Sequence, residues 1–436
     1  MSGAWSTAHV WWPSVSDLAR SLLALGIATA LGTLLDRVLR FAPRSPARWP
    51  LRTLAALVLL YLFRVLPVVL VVVLVVGLLA RRRGPRRVKP AMTRGDRRWS
   101  LLGVAALAVT AMSRLPTTLY WDEMVWLAKA RIEAESRGAL TAEALRIGTS
   151  AIPPGYPLFE PLSISALAGY GAETTSLVFG AELLTIVAGA ALLLTALERR
   201  HFRVRGDLIA AALVSACPLV LVHLRSAYVD LELGMLAATL LLLLEARETR
   251  AAAVVAMAIV SMKDEGIAHL LAVCSGAVVF ALVQGRRRDA FHVALVALAG
   301  YVCFAGWRSR LVESGVVDSD HLLGAPSLAR VPDVIHLGLV AASDALGWGA
   351  LWAAVGAMVV TAIIRPSTID RRARARCLVL GAQAALLFGA ILCSPDRVMD
   401  FLHAGTLLPR MLVQLAPSAA LALASSFTPV EGASVG

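Results

Sequence analysis

Long apolar runs separated by knots of arginine constrain this chain more than any other feature. Val65–Ala80, Leu183–Ala196 and Ala237–Leu244 carry too little polarity for a solvated surface. Inside a bilayer the backbone must satisfy its own hydrogen bonds, so runs of this kind fold as helices. None alternates polar and apolar residues as a strand of an outer-membrane barrel does. Hydrophobic residues make up 58% of the 436 positions and charged residues only 16%, the balance of a polytopic α-helical membrane protein. The expected fold class is therefore all-α, a transmembrane helical bundle of about 11–13 spans.

The formal net charge of +13 would suggest nucleic acid in a soluble protein. Here the positive charge falls between apolar runs, at Arg81–Arg98, Arg199–Arg205, Arg247–Arg250, Arg286–Arg288 and Arg365–Arg376. That is the distribution of cytoplasmic loops under the positive-inside rule, and no basic stripe is interleaved with stacking aromatics. Nucleic acid is set aside as a partner. Cys217, Cys274, Cys303, Cys377 and Cys393 form no CxxC pair and read as small core hydrophobes. The first apolar run has no basic n-region before it, which speaks against a cleaved signal peptide.

Spans are expected near 18–36, 53–80, 99–113, 174–197, 207–223, 229–246, 250–262, 267–284, 290–306, 344–364, 377–393 and 409–426. Fixing Arg81–Arg98 on the inner side brings every later basic loop to that side. Outer loops then lie near 114–171, 307–343 and 394–408. Residues 1–98 read as an N-terminal membrane extension to a core over 99–426. Within that extension one tilted span across Leu51–Ala80 is preferred to a hairpin, which would need two very short helices around Arg64 and Pro67. The single span leaves Arg37, Arg40, Arg44 and Arg48 outside, against the rule.

Unusual polarity gathers in a few outer segments. Trp121–Glu133, read as a helix, places Asp122, Trp126, Lys129 and Glu133 on one face. A structural role as an interfacial helix with a tryptophan anchor competes with a functional one. Ile152–Pro161 holds four prolines and is expected to be an irregular ordered loop. Asp230 and Glu232 open a very apolar helix, where negative charge suits the helix dipole, and Arg225 precedes them. Lys263-Asp264-Glu265-Gly266 splits two short apolar runs, as either a tight loop or a broken helix at a ligand site. His403 and Arg410 flank the start of the last span. Only three lysines occur among the 42 basic residues, and two of them, Lys129 and Lys263, stand in these segments. Lysine offers a compact charge that arginine does not reproduce.

Taken together, Trp121-Asp122, Trp126, Lys129-Ala130, Gly155-Tyr156-Pro157, Pro161, Asp230, Lys263-Asp264-Glu265-Gly266, His403, Arg410 and Pro417 resemble the GT-C superfamily of membrane glycosyltransferases. Its relatives include protein O-mannosyltransferases and the aminoarabinose transferases that modify lipid A. The resemblance spans roughly 99–426. Where many bacterial members carry an acidic residue before Tyr-Pro, this chain has Gly155.

The resemblance implies an enzyme in the bacterial cytoplasmic membrane with its active site on the outer face. Its donor would be a polyprenyl-phosphate sugar and its acceptor a hydroxyl of a glycan, lipid or protein. It implies Asp122 as general base with Glu123 beside it, and donor phosphate held by Lys263, Arg225, Arg410 and Lys129. It further implies substrate contacts from Trp126, Tyr156, Asp230, Glu265 and His403. Two adjacent carboxylates do not by themselves specify a divalent cation such as Mg2+ or Mn2+, and leave one open. A transporter or flippase, and a ligase or polymerase of lipid-linked glycans, remain alternatives, because charge near the bilayer and broken helices suit these as well.

Overall fold

The computed structural model describes residues 14–41, 48–71, 73, 94–113, 121–136, 156–197, 212–313, 324–365 and 371–426. Among the described residues there are helices and no strand, and the fold is an all-α membrane bundle. In chain order the helices are α1 (Val15–Leu39), α2 (Trp49–Val65), α3 (Arg94–Met112), α4 (Trp121–Glu135), α5 (Phe159–Leu167) and α6 (Thr174–Leu197). Then come α7 (Pro218–Leu224), α8 (Val229–Glu245), α9 (Thr249–Met262), α10 (Gly266–Val283) and α11 (Arg287–Glu313). The last are α12 (Val331–Ser343), α13 (Leu351–Ile364), α14 (Arg371–Cys393), α15 (Asp396–His403) and α16 (Leu407–Ser426), with a short turn at Ala345–Trp348. Among the described residues six helices are long and apolar enough to cross a bilayer, or seven if the bent pair α7–α8 is one span. That criterion passes over shorter helices such as the 17-residue α2 and the 14-residue α9.

Helix α8 is the axis of the bundle. Beyond Asp230 and Glu232 in its first turn and Glu245 at its end, its sequence is apolar on every face, as a helix enclosed by other helices can be, and Val229–Leu244 is buried throughout. It packs against α6, α9, α10 and α16. By contrast α1 exposes Leu22, Leu23, Ile27, Leu31 and Leu34, the surface expected of a helix facing acyl chains.

The helices share two chemically distinct ends. At one, Arg48 pairs with Glu248 at 2.9 Å, Arg376 grips Glu245 through two bonds of 2.9 and 2.8 Å, and Arg247 meets Asp289 at 3.0 Å. At the other lie Asp230, Lys263 and Arg410, roughly 22 Å away along α8. The basic stretches about residues 247–250, 286–288 and 371–376 thus adjoin one end. For these clusters this is the alternation read from the sequence; Arg199–Arg205 and most of Arg81–Arg98 lie outside the described residues.

Four expectations are corrected here. Arg250 donates to the carbonyl of Leu39 at 2.9 Å, so the stretch after α1 sits at the basic end. α2 alone then carries the chain to the opposite end, where Arg64 stacks 5.5 Å from the Tyr170 ring and Leu66 and Val69 meet Gly306. The single span across 51–80 does not hold. Helix α2 ends at its cap residue Leu66, immediately before Pro67, because proline cannot continue the helical ladder. Arg37, Arg40 and Arg48 thereby cease to violate the charge rule, and Arg44 lies outside the described residues. α2 also shares its core with the rest, through Leu54, Tyr61 and Leu62.

The span expected over 207–223 is interrupted at Cys217, which is extended, and α7 restarts at Pro218, a residue suited to a first turn. α7 and α8 meet at 98°. The Ile152–Pro161 segment is not irregular throughout, since α5 begins at Phe159. Pro161 falls in its first turn, where no intrahelical N–H bond is required. Within the expected 307–343 loop, Val331–Ser343 is helical, and the following span begins at Leu351 rather than 344. The five cysteines are free thiols, with Cys217, Cys274 and Cys303 buried.

Candidate functional site

The site is built on the first turn of α8. Asp230 is fully buried there and takes three donors. Lys263 Nζ reaches Oδ1 at 2.8 Å, Gln414 Nε2 reaches the same oxygen at 2.7 Å, and Arg410 Nε reaches Oδ2 at 2.8 Å. A buried carboxylate is stable only when paired and hydrogen-bonded, and this one is.

Local sequence brings each donor in. Lys263 ends α9 in extended conformation (φ −154°, ψ 155°), which breaks the helix and swings the side chain toward α8. Gly266 lets the turn close, since a Cβ there would lie 2.1 Å from the Ile259 carbonyl oxygen. Arg410 and Gln414 are four residues apart on α16 and so share one face. α16 comes close to α8 because Gly234 has no side chain: a Cβ would sit 2.3 Å from the Gln414 carbonyl oxygen. Lys263 also meets Glu265 at 3.0 Å, and Arg410 lies 5.4 Å from the centre of the Tyr228 ring.

Trp126 of α4 and Tyr156, just before α5, form an aromatic wall beside this centre. The Trp126 and Tyr156 rings lie 5.2 Å apart, and Lys129 Nζ is 5.7 Å from the centre of each. Such spacing is within cation–π range. Tyr156 is half-buried, and burial pushes its hydroxyl above its usual range while it feels Lys263, Glu265 and Arg410. Glu123 accepts the Ala227 backbone N–H at 2.9 Å, fixing the start of α4 against the α7–α8 break.

Two acidic groups join the wall. Burial first, then the carboxylates of Glu232 and Asp230, hold Glu160 well above the usual carboxyl range, with Lys263 and Lys129 opposing. Burial pushes Glu133 up to about 7 against the pull of Arg64.

A further polar chain runs inward from Asp230. Gln414 Oε1 lies 3.0 Å from His269 Nε2, and His269 Nδ1 lies 3.0 Å from Gln383 Nε2. His269, Gln383 and Gln414 are all fully buried.

The structure therefore brings together Lys263, Arg410, Asp230, Glu265, Tyr156, Trp126 and Lys129, with Glu123 at the margin. Asp230, expected to touch substrate, is instead an enclosed anchor for two cations. Arg225 is not on this centre; it donates to the Ser113 carbonyl at 2.6 Å and ties α3 to the α7–α8 break. His403 is more than half exposed and faces Asp333 at 3.6 Å. The Asp122 side chain lies outside the described residues, although its backbone is in the first turn of α4.

Glu160, Gln414, His269 and Gln383 were not singled out from the sequence, whereas Glu133 was read on the same face as Trp126 and Lys129. The available signal was polarity within apolar runs, which is costly unless satisfied. Among the described residues no group of three His, Cys, Asp or Glu side chains is placed to hold a metal ion. No protein-family model, curated protein or solved structure matches the chain.

Proposed function

We propose that the chain is a membrane glycosyltransferase that moves a sugar from a polyprenyl-phosphate donor to an acceptor hydroxyl. The observation that carries this reading is the convergence of an ammonium and a guanidinium, from different helices, on the buried Asp230 beside an aromatic wall. Cations held by a fixed internal partner suit a leaving phosphate, because they need no reorganisation as its charge develops. Arg410 is about a quarter exposed and Glu265 about a fifth, so the centre has an open side. Its position at one end of the bundle suits a headgroup whose tail stays in the bilayer.

In this reading Lys263 and Arg410 receive the donor phosphate. Trp126 and Tyr156 offer faces to the sugar ring, with Lys129 between them as a hydrogen-bond donor. Asp122 is the base. It takes the acceptor proton as the hydroxyl oxygen attacks the anomeric carbon, and the bond from that carbon to the phosphate oxygen breaks with its electron pair leaving on phosphate. One displacement inverts the centre. Glu123 holds α4 in place through Ala227, and Asp230 fixes the two cations. By the distribution of basic loops the site opens on the non-cytoplasmic face of a bacterial cytoplasmic membrane. The acceptor class is a glycan, lipid or protein hydroxyl, and a divalent cation is not required by the roles assigned.

The test is transfer from labelled polyprenyl-phosphate sugars in proteoliposomes. Asp122→Asn should abolish product with folding retained, and near-normal turnover would remove Asp122 from the base role. Lys263→Ala should chiefly raise the donor KM. A second reading, transport of a lipid-linked or small anionic substrate, draws on the 98° break beside the site. It predicts movement of intact substrate across the bilayer with no new glycosidic bond.

A further inference from the structure

The polar chain behind Asp230 has a definite sense. An ionised carboxylate accepts only, so Gln414 must present its amide nitrogen to Asp230, and its oxygen then faces His269. His269 Nε2 must therefore carry a proton. The Gln383 amide is oriented with its nitrogen 3.0 Å from Nδ1, and in that orientation the second ring nitrogen accepts. Every donor in the chain points toward Asp230, and the arrangement requires the neutral Nε2–H imidazole. The four residues belong to four helices, α14, α10, α16 and α8, which pack against one another.

Packing alone would be met by leucine or phenylalanine at these positions. A glutamine or histidine inside a bundle is expensive unless bonded, and a completely directed chain has a stronger consequence than bulk. Asp230 can rotate about its terminal torsion, which has a broad energy surface. With Gln414 and Lys263 both on Oδ1 and Arg410 on Oδ2, that rotation is blocked.

We propose that Gln383, His269 and Gln414 form a positioning relay that sets the Asp230 carboxylate, and so holds Lys263 and Arg410 where a single phosphate headgroup can engage both. The ligand class rests on the glycosyltransferase reading; the relay itself does not. These are positioning residues and touch no reacting atom.

Two measurements on the full-length protein in nanodiscs test this. The first is the histidine tautomer, read by 15N NMR on histidine-labelled protein and assigned by loss of the signal in His269→Gln. The relay predicts a neutral Nε2–H imidazole at neutral pH, and loss of that preference in Gln414→Leu. A protonated ring or an Nδ1–H tautomer in the wild type would overturn it.

The second is binding of sugar-free polyprenyl phosphate, with inorganic phosphate as competitor. His269→Phe should weaken binding about ten- to hundredfold, the loss expected for a buried hydrogen bond acting on a charged group. His269→Gln, which keeps a donor toward Gln414, should restore most of it. Equal binding by wild type and His269→Phe overturns the relay. Should His269→Phe fail to fold, the tautomer measured in the wild type still decides. Competition by inorganic phosphate at comparable concentration would make the ligand a free phosphate and overturn the lipid headgroup, as would absence of binding by the wild type. Wild-type binding without any sugar transfer would leave the relay standing and remove glycosyl transfer.

Discussion

Replacing Asp230 by asparagine tests the centre most severely. The carboxylate is wholly enclosed and Lys263 almost so, with a relative exposure of 3%. Asparagine keeps the shape and one acceptor oxygen but removes the charge that two cations share. Breaking a buried ion pair on one side costs about 3–5 kcal/mol, because the partner is left charged and poorly solvated. Here Glu265 still meets Lys263 at 3.0 Å, and Arg410 still lies 5.4 Å from the Tyr228 ring. Those contacts offset part of the loss, so the expected cost is near the lower bound, about 3 kcal/mol. Equilibrium unfolding in a mild detergent gives the value. The comparison that identifies the cause is Asp230→Asn with Lys263→Met. If the cost comes from a stranded ammonium, the double variant is more stable than Asp230→Asn alone, and a double-mutant cycle shows coupling of about 2 kcal/mol. A single-variant cost below about 1 kcal/mol, or additivity within about 0.5 kcal/mol, would refute the reasoning.

Three further outcomes follow from the geometry. Gly234→Ala places a methyl carbon 2.3 Å from the Gln414 carbonyl oxygen, so α16 must shift from α8. It should cost about 1–3 kcal/mol and raise the Kd for polyprenyl phosphate, whereas an unchanged Kd would show that α8–α16 spacing does not set the site. Glu133 is held protonated up to about pH 7 in the folded protein, so the fold binds more protons than the unfolded chain from the ordinary carboxyl range upward. That contribution is fully present below the ordinary range and lost as pH rises through about 7; Glu133→Gln should flatten the decline, seen in melting temperature against pH. His403→Ala removes an exposed side chain and should change stability by less than about 0.5 kcal/mol and leave donor KM unaltered, as measured by unfolding and steady-state kinetics.

The bundle was legible because its physics is local. A run of apolar residues must become a helix in lipid, and an arginine cluster marks one side, so most helices fall where those two signals place them. α1–α2 was misread because the deciding contact, Arg48 with Glu248, joins residues two hundred positions apart. Arg37, Arg40 and Arg48 looked like exceptions to the charge rule because one span was read through residue 80, whereas α2 ends at its cap residue Leu66, before Pro67. Pro161 misled in the opposite direction, since proline forbids a helix interior but not a first turn.

The centre was half legible. Lys263, Asp230 and Arg410 announced themselves as charges at helix ends, and their meeting is what the segment order suggested. Lone polar residues inside apolar runs were harder to weigh. Gln383, His269 and Gln414 gain meaning only when three helices bring them into line. Arg225 and His403 lie in equally polar segments, yet the backbone turns one toward Ser113 and the other toward the surface.

The most direct test is made in proteoliposomes loaded with a panel of polyprenyl-phosphate hexoses and pentoses, with release of polyprenyl phosphate followed by mass spectrometry. Wild-type protein should release it with one of the sugars in the presence of an acceptor extract, and Asp122→Asn and Lys263→Ala should not match that rate. If no sugar is cleaved from any donor while the wild type binds the sugar-free lipid phosphate, the centre is an anion site without glycosyl transfer.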